Sequence, residues 1–388
     1  MSADASGGRR LRVVCLITHM DQGGAQEAIL RLARQLRARG HEAQVWFLYE
    51  KVPAYRDEPH TRVLVPVAEP GIGGYRRIVT DLVRAFSGHR PDAVISFLPL
   101  ANVVGQAAAA MAGIRCRIAS QRNPWWTYGP VMRRADRIAG TTGLYTCNVV
   151  NSRSVRDSFE RHPEAYRRRL RVVYYGIDWT PSDLDRRAAR DRVGLPGQEP
   201  LVLVLGRLCE QKNQDLAMRA FARRPGGGLV LAGDGEDRAA LRGLAADLGI
   251  LERVHFLGKV ARADVPHLLR AVDVFAQPSR YEGQSNALLE AMNAGLAIVA
   301  SSIPPQVETL GEPGEEPAGR IVDLDDTDGW SLALAELLGS AGLRADLGHR
   351  AKMRARAFSV ERMADGFEGL LREFGRADGP GSAAPVAG

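Results

Sequence analysis

Two glutamates in the stretch SRYEGQSNALLEAMNAGLAIVAS, Glu282 and Glu290, are separated by seven residues. After Gly283 and Gln284, Ser285 reads as a helix N-cap, Asn286 to Ala294 as the helix, and Gly295 as its left-handed stop. Glu290 then lies about one turn inside the helix and Glu282 just ahead of it, so both carboxylates can face one site. Neither a His nor an Asp stands nearby to complete a metal-ligand set. The chemistry this pair suits is hydroxyl recognition, because a carboxylate accepts hydrogen bonds from vicinal hydroxyls such as those of sugar and ribose rings. The amides of Gln284, Ser285 and Asn286 at the helix start suit a phosphate or a sugar oxygen.

A second constellation lies in LVLVLGRLCEQKNQ, where Arg207 and Lys212 follow a strand-like run and stand five positions apart. Open α/β sheets bind ligands at the carboxyl ends of their strands. A guanidinium fork and an ammonium converging there would neutralise a diphosphate; taken alone, the two read equally as ordinary loop cations. Gly23 and Gly24, between the first strand and the first helix, allow backbone amides to approach an anion, or simply make a tight turn. They complete neither GxGxxG nor GxxxxGK[ST]. His19, just before them, is either a catalytic base or a packing residue at a strand end. Trp125, Trp126 and Tyr128 either stack on an acceptor or belong to a core.

These residues need a frame, and the hydrophobic pattern supplies an α/β one. Apolar runs at Leu11–Ile17, Ala43–Leu48, Ala93–Phe97, Arg117–Ser120 and Cys147–Val150 alternate with helical stretches such as Ala25–Arg39, capped by Gly40, and Ala101–Ala112. The second half repeats the theme at Leu201–Leu205, Gly228–Ala232, Val254–Leu257, Val272–Ala276 and Ala297–Ala300. The charged stretch Asp178–Pro200, with Pro181, Pro196 and Gly197, predicts a linker followed by a short helix, placing a domain boundary near residue 180. Past Ala300, the prolines at 304, 305, 313 and 317 predict a loop too broken for a helix. A helical C-terminal part follows, then a disordered tail over residues 375–388. The expected architecture is two doubly wound domains, 1–180 and 181–357.

Length and composition agree. The 388 residues exceed one ordinary core, while 45% hydrophobic and 25% charged content exclude disordered and disulfide-scaffold classes. Cys15, Cys116, Cys147 and Cys209 are far apart and form no CxxC pair, so they read as small core residues in a reducing cytosol. No run approaches the roughly 20 apolar residues of a membrane helix, and MSADASGGRR leads into a strand without a signal-peptide core, which predicts a cytoplasmic protein. The net charge of +7 is uneven: residues 1–180 carry 27 Lys and Arg against 15 Asp and Glu, leaving −5 beyond. The densest cluster is Arg153, Arg156, Arg161, Arg167, Arg168, Arg169 and Arg171. A basic first half suits a solvated surface, an anionic substrate or peripheral contact with a membrane; no motif accompanies it that would suit nucleic acid.

In order and spacing, the Gly23, Gly24 loop, GRLCEQKN, AGDGEDRAAL, the Glu282 to Glu290 pair and the final FSVERMADGFEGLLREF resemble the GT-B fold retaining glycosyltransferases of family 4 (glycosyl transferases group 1). The resemblance covers most of the chain. It implies two Rossmann-like domains facing across a cleft, the last helix (about 358–374) returning to the first domain, and the second domain binding the nucleotide-sugar. By the same resemblance Arg207 and Lys212 bind the donor diphosphate, with the Gly24 amide on the opposite wall. Glu290 binds the ribose, Glu282 the transferred sugar, and the backbone from Gly283 through Gln284 and Ser285 to Asn286 cradles sugar and phosphate. Val260 marks the nucleobase position, and Asp234 orders its own turn.

Two departures from the family pattern stand out. IASQRNPWW replaces the histidine many relatives carry after the fourth strand, and resembles a subgroup with Ser-x-Arg-Asn there, so Ser120, Arg122 and Asn123, with His19, are assigned to the acceptor side. Tyr175 in YYGID replaces the usual Asn. The activity implied is retaining transfer from a nucleotide-sugar, a UDP-sugar by expectation, to a hydroxyl on a glycolipid, polysaccharide precursor or small natural product, with no metal or other cofactor. The competing readings are a non-catalytic sugar-nucleotide-binding protein and a nucleotide-sugar 2-epimerase.

Overall fold

A computed structural model describes residues 9–66, 72–195, 197, 199–223 and 226–375. The chain divides into two compact units: one holds the chain up to Asn151, Val155–Gly176 and the chain from Val360 on, the other Ser152–Ser154 and Ile177–Ser359. Of the tail expected over 375–388, all but Gly375 lies outside the described residues, as does Pro196 of the expected linker.

The first unit is built on a seven-stranded, all-parallel sheet of β1 (Arg12–Met20), β2 (Glu42–Glu50), β3 (Thr61–Val65), β4 (Ala93–Phe97), β5 (Cys116–Gln121), β6 (Cys147–Val150) and β7 (Leu170–Val172). Its order is β3-β2-β1-β4-β5-β6-β7. The central strands are mainly apolar because helices cover both faces, and β4 and β6 are buried along their whole length, Ser96 and Asn148 included. The edge strands β3 and β7 escape the hydrophobic pattern. TRVLV and LRV carry polar residues that an edge tolerates and a centre does not. Trp46 on β2 is fully buried and stacks on Phe86 at 5.4 Å. The helix Val360–Phe374 packs here too, Phe367 lying 6.2 Å from Phe97 while Arg39 pairs with Asp365 and Glu368.

The second unit holds β8 (Leu201–Leu205), β9 (Gly228–Ala232), β10 (Val254–Gly258), β11 (Val274–Gln277), β12 (Ala297–Ser301) and β13 (Arg320–Val322), in the order β10-β9-β8-β11-β12-β13. Connections run outward from β8 on one side and from β11 on the other, so the order reverses between these two neighbours, the position where doubly wound sheets open a crevice. Both sheets are therefore parallel and Rossmann-like, as the pattern predicts. The short helix expected after the linker is Arg186–Val193, capped by Asp185.

Two expectations need correction. Pro304–Leu310 is a helix, not a loop: Pro304 and Pro305 occupy its first turn, where no intrahelical N–H bond is lost and a fixed φ favours the helix. The stretch expected as one helix from Ala101 opens with a π-helical turn, Ala101–Gly105, before Gln106–Met111. All four cysteines are buried and free, and burial pushes the thiols of Cys15, Cys116 and Cys147 up to about 12, so they are inert core residues.

The helix Asn286–Ala294 is fixed from behind by the helix Ala341–Ala355, whose Gly348 comes so close to the Gly295 carbonyl that a Cβ would collide with it. Gly348→Ala should overpack this contact by about 1–3 kcal/mol and lower the melting temperature by several degrees. Gly342→Ala on the same helix meets open space and should be neutral or slightly stabilising. Calorimetric melting of the two variants checks the pair.

Candidate functional site in the second unit

Two loops leave the carboxyl ends of the adjacent strands β8 and β11, and hydrogen bonds stitch them together. Gln211 Nε2 donates to the Tyr281 carbonyl at 3.0 Å, the Arg280 amide to the Gln211 carbonyl at 2.9 Å, and Asn213 Nδ2 to the Pro278 carbonyl at 3.1 Å. At the centre, Lys212 Nζ lies 2.5 Å from Glu282 Oε1. The carboxylate is largely buried, 7% exposed as a residue. A charge pair withdrawn this far from water is strengthened by the low local dielectric, and removing either partner strands the other. The predicted phosphate-binding cation and the predicted hydroxyl-binding carboxylate are thus direct partners. Glu282 Oε2 accepts no hydrogen bond among the described residues, and the ammonium has three N–H donors, so the pair retains capacity for a ligand.

Gln277, the last residue of β11, was not singled out by the sequence reading. Its Nε2 reaches Glu282 Oε1 at 3.5 Å while its Oε1 accepts from Ser285 Oγ at 3.1 Å, linking the carboxylate to the helix cap. Only its place at a strand end could have marked it. Ser285 is the N-cap, accepting from the Leu288 amide at 3.4 Å, and Gly295 has φ 74° at the C-terminus, both as the sequence predicts. Gly283, Gln284 and Asn286 therefore flank a helix start adjoining Glu282. Glu290 is 2% exposed and its Oε1 lies 2.5 Å from Arg262 Nη2. Arg262 comes from the loop after β10, the loop that holds the half-buried Val260. Arg262 is a second residue the sequence reading missed.

Arg207 shares the β8 loop with Lys212 but is exposed, and its backbone carbonyl is held by Gln214 Nε2 at 2.8 Å. The two cations lie on one loop, yet only Lys212 reaches the carboxylate. The loop's course depends on close backbone approach. Gly206 has φ 150°, with Lys212 Cε 3.2 Å from where its Cβ would stand, and a Cβ on Gly233 would run into the Gly206 carbonyl. Asp234 Oδ1 accepts from the Gly235 amide at 3.0 Å, ordering its own turn as expected. Among the described residues no group of three or more His, Cys, Asp or Glu is placed to hold a metal ion.

The remaining candidates belong to the first unit. Gly24 is the exposed first residue of the helix Gly24–Ala38. His19 lies within β1, its ring 5.7 Å from Tyr49. Burial lowers its pKa, with Asp21 opposing and Lys51 reinforcing the shift, which favours the neutral imidazole. Its Nδ1 is buried without a hydrogen-bond partner among the described residues. Ser120 is the penultimate residue of β5, with Arg122 just past the strand's end; Arg122 is 6% exposed and Asn123 half-buried. Tyr175, which departs from the family pattern, carries the Arg122 guanidinium over its ring at 3.0 Å.

The aromatic trio separates. Trp125 packs with His162 at 5.6 Å, Tyr128 donates inward to Gln121 Oε1 at 3.1 Å, and Trp126 alone is exposed. Four of the seven clustered arginines have protein partners: Arg153 pairs with Glu308 and Glu312, Arg156 with Asp157, Arg171 with Glu373, and Arg169 binds the Gly140 carbonyl.

Two family models match the chain, glycosyl transferases group 1 over residues 185–354 and glycosyltransferase family 4 over residues 22–180. A D-inositol 3-phosphate glycosyltransferase of Mycobacterium marinum is 30% identical over 407 aligned positions, covering 92% of this chain and 82% of the relative. Other curated relatives match over less. A lipopolysaccharide core biosynthesis glycosyltransferase, LpsE of Rhizobium meliloti, is 35% identical over 184 residues, 47% of this chain, and a D-inositol 3-phosphate glycosyltransferase of Mycobacteroides abscessus is 32% identical over 237, 59% of this chain. The chain spans about half the length of these two, 52% and 51%. Among solved structures, Anabaena HepE in complex with UDP-glucose superposes with a TM-score of 0.82 at 21% identity, covering 94% of this chain and all of that one.

The stitching of the two loops can be measured by a double-mutant cycle. Lys212→Met should cost about 1–3 kcal/mol by leaving Glu282 unpaired, and adding Glu282→Gln should recover part of that loss. Urea unfolding of the native chain, both single variants and the double variant checks this; strict additivity would contradict a direct pair.

Proposed function

The chain belongs to family 4 of the glycosyltransferases, and from that membership we propose that it transfers a sugar from a nucleotide-sugar, a UDP-sugar, to an acceptor hydroxyl with retention at the anomeric carbon. The observation that carries the reading is the Lys212–Glu282 pair at the point where the strand order reverses. It sets a cation suited to a diphosphate directly beside a carboxylate suited to sugar hydroxyls.

In the proposed reaction the bond from the anomeric carbon to the diphosphate oxygen breaks, and its electron pair stays on the diphosphate. The acceptor oxygen bonds to the anomeric carbon on the same face, and its proton passes to the departing phosphate. Negative charge grows on the leaving group, so a positioned ammonium or guanidinium lowers the barrier more than it tightens ground-state binding. Lys212 and Arg207 have this role. Glu282 accepts from the sugar hydroxyls, the backbone from Gly283 to Asn286 cradles sugar and phosphate, Glu290 accepts from the ribose, and Val260 marks the nucleobase. Gly24 adds a backbone amide, while His19, Ser120, Arg122 and Asn123 serve the acceptor. Because Arg262 holds Glu290 in the described structure, ribose binding requires the carboxylate to be shared or Arg262 to swing away.

A specific observation favours an acceptor at a membrane surface. The helix Pro130–Thr142 exposes Val131 (80%) and Ile138 (64%) along with Arg134 and Arg137, and Trp126 (52%) precedes it. Apolar side chains flanked by arginines suit an anionic interface, where each cation contributes about 1 kcal/mol. Among the described residues no helix is long and apolar enough to cross a membrane, so contact would be peripheral.

A panel of nucleotide-sugars scored by thermal shift should single out UDP-sugars, a ligand at 100 times its Kd adding about 2.7 kcal/mol. With the sugar identified, Lys212→Ala and Arg207→Ala should each lower kcat on the order of 100-fold; unchanged turnover in both would overturn their assignment. Binding without turnover would favour a sugar-nucleotide-binding protein, and donor isomerisation without acceptor an epimerase. In co-sedimentation, the chain should bind phosphatidylglycerol vesicles at low salt and be released at high salt. No binding at low salt would remove the membrane-surface acceptor.

A further inference from the structure

Arg122 is buried, and no carboxylate among the described residues pairs with it. Its guanidinium lies 3.0 Å over the Tyr175 ring and 4.5 Å from the Phe97 ring centre, held between two aromatic faces of the first unit. It makes no hydrogen bond and no ion pair among the described residues, and Nη1 is shut off from solvent without a partner. The buried carboxylate closest in sequence, Asp136, is satisfied otherwise, accepting from Gln121 Nε2 at 2.8 Å, Tyr166 Oη at 2.7 Å and Tyr145 Oη at 3.0 Å. Successive residues of an extended chain point to opposite sides, so Gln121 faces that acid while Arg122 faces away from it.

Neighbouring groups share the deficit. Ser120 Oγ, on the same side of the chain as Arg122, and Asn151 Oδ1 are both buried without partners among the described residues. Asn151 Nδ2 donates to the Arg122 carbonyl at 3.2 Å, so this set gathers at the carboxyl ends of β5 and β6. Burial drags the arginine pKa down, yet a guanidinium stays protonated at neutral pH. Cation–π contact with Tyr175 and Phe97 fixes the plane of the group but leaves its N–H donors unused. A planar fork held rigid with vacant donors is matched by an oxyanion, which takes two parallel N–H bonds.

We propose that Arg122, held flat by Tyr175 and Phe97, anchors an anion subsite in the first unit that takes a phosphate or carboxylate group of the acceptor. The assignment to the acceptor rests on the function proposed above; the anion site itself rests on the unpaired guanidinium. The acceptor is therefore an acidic molecule, carrying a charged group besides the hydroxyl that receives the sugar. Tyr175, in place of the family's usual Asn, is explained as the platform that orients the fork.

Calorimetric titration of the full chain with inorganic phosphate and with acetate, in saturating UDP to occupy the donor phosphate position, tests the subsite. At least one of the two anions should bind the native chain, and Arg122→Gln should weaken that binding at least about tenfold. Arg122→Lys, which keeps the charge and loses the fork, should fall between; it carries the test if the glutamine variant fails to fold, as judged by near-ultraviolet circular dichroism. A parallel sedimentation with phosphatidic acid vesicles separates the sources. Binding in solution identifies a small anionic group, and an Arg122-dependent gain on vesicles alone identifies a lipid phosphate; either upholds the site. Equal anion binding by native and variant chains, or no anion binding in either format, overturns it. Failure of the native chain to bind UDP would overturn the donor reading instead, and the same titration without UDP would still decide the role of Arg122.

Discussion

The ion pair between Lys212 and Glu282 is the constraint on which the second unit's site depends. It joins loops from two adjacent strands, and neighbouring contacts hold those loops together. Gly206 and Gly233 let the backbones pass in contact, Asn213 takes a left-handed conformation (φ 55°) to turn the chain from Lys212 into the next helix, and Gln277 ties the carboxylate to the cap of the helix bearing Glu290. A buried carboxylate and ammonium cannot be separated cheaply, so the loops are held even where no ligand bridges them. Such an arrangement is preorganised: its groups need little reordering to meet the proposed substrate, with a negative diphosphate on one side and hydroxyls on the other.

The first unit shows a different electrostatic economy. Its sheet ends bear buried polar groups without partners among the described residues, Arg122 foremost, while Asp136 accepts from two tyrosines and a glutamine. Unsatisfied buried groups are rare because each costs stability, so each calls for a physical explanation. At the second unit's site Lys212 and Arg262 meet Glu282 and Glu290, whereas Arg122 of the first unit meets no carboxylate among the described residues. The uneven charge of the sequence, +12 in residues 1–180, has a local counterpart in this one guanidinium more than in the dense arginine cluster, four of whose members are already paired within the protein.

The sequence was most readable where one physical rule acted alone. The strands β4, β6, β8 and β9 are short and mainly apolar, with Ser96 and Asn148 the polar exceptions in β4 and β6, and their limits could be drawn to the residue. The helix Asn286–Ala294 announced both ends through Ser285 and Gly295. Edge strands β3 and β7 were illegible because a half-exposed edge relaxes the apolar pattern, and Pro304–Leu310 misled because proline breaks a helix interior but not its first turn. Within the site, residue types pointed to Lys212 and Glu282, but not to their direct pairing. Nor could sequence show Arg262 on Glu290 or Tyr175 beneath Arg122, since each contact joins elements far apart in the chain and depends on side-chain reach.

The central claim is that Lys212, fixed by Glu282, meets the phosphate next to the transferred sugar. Phosphorus-31 resonance of UDP bound to the native chain and to Lys212→Gln measures this most directly. The account predicts a β-phosphate resonance displaced from that of free UDP in the native complex, a displacement that shrinks in the variant while the α-phosphate resonance changes little. An equal β-phosphate displacement in both complexes would contradict it.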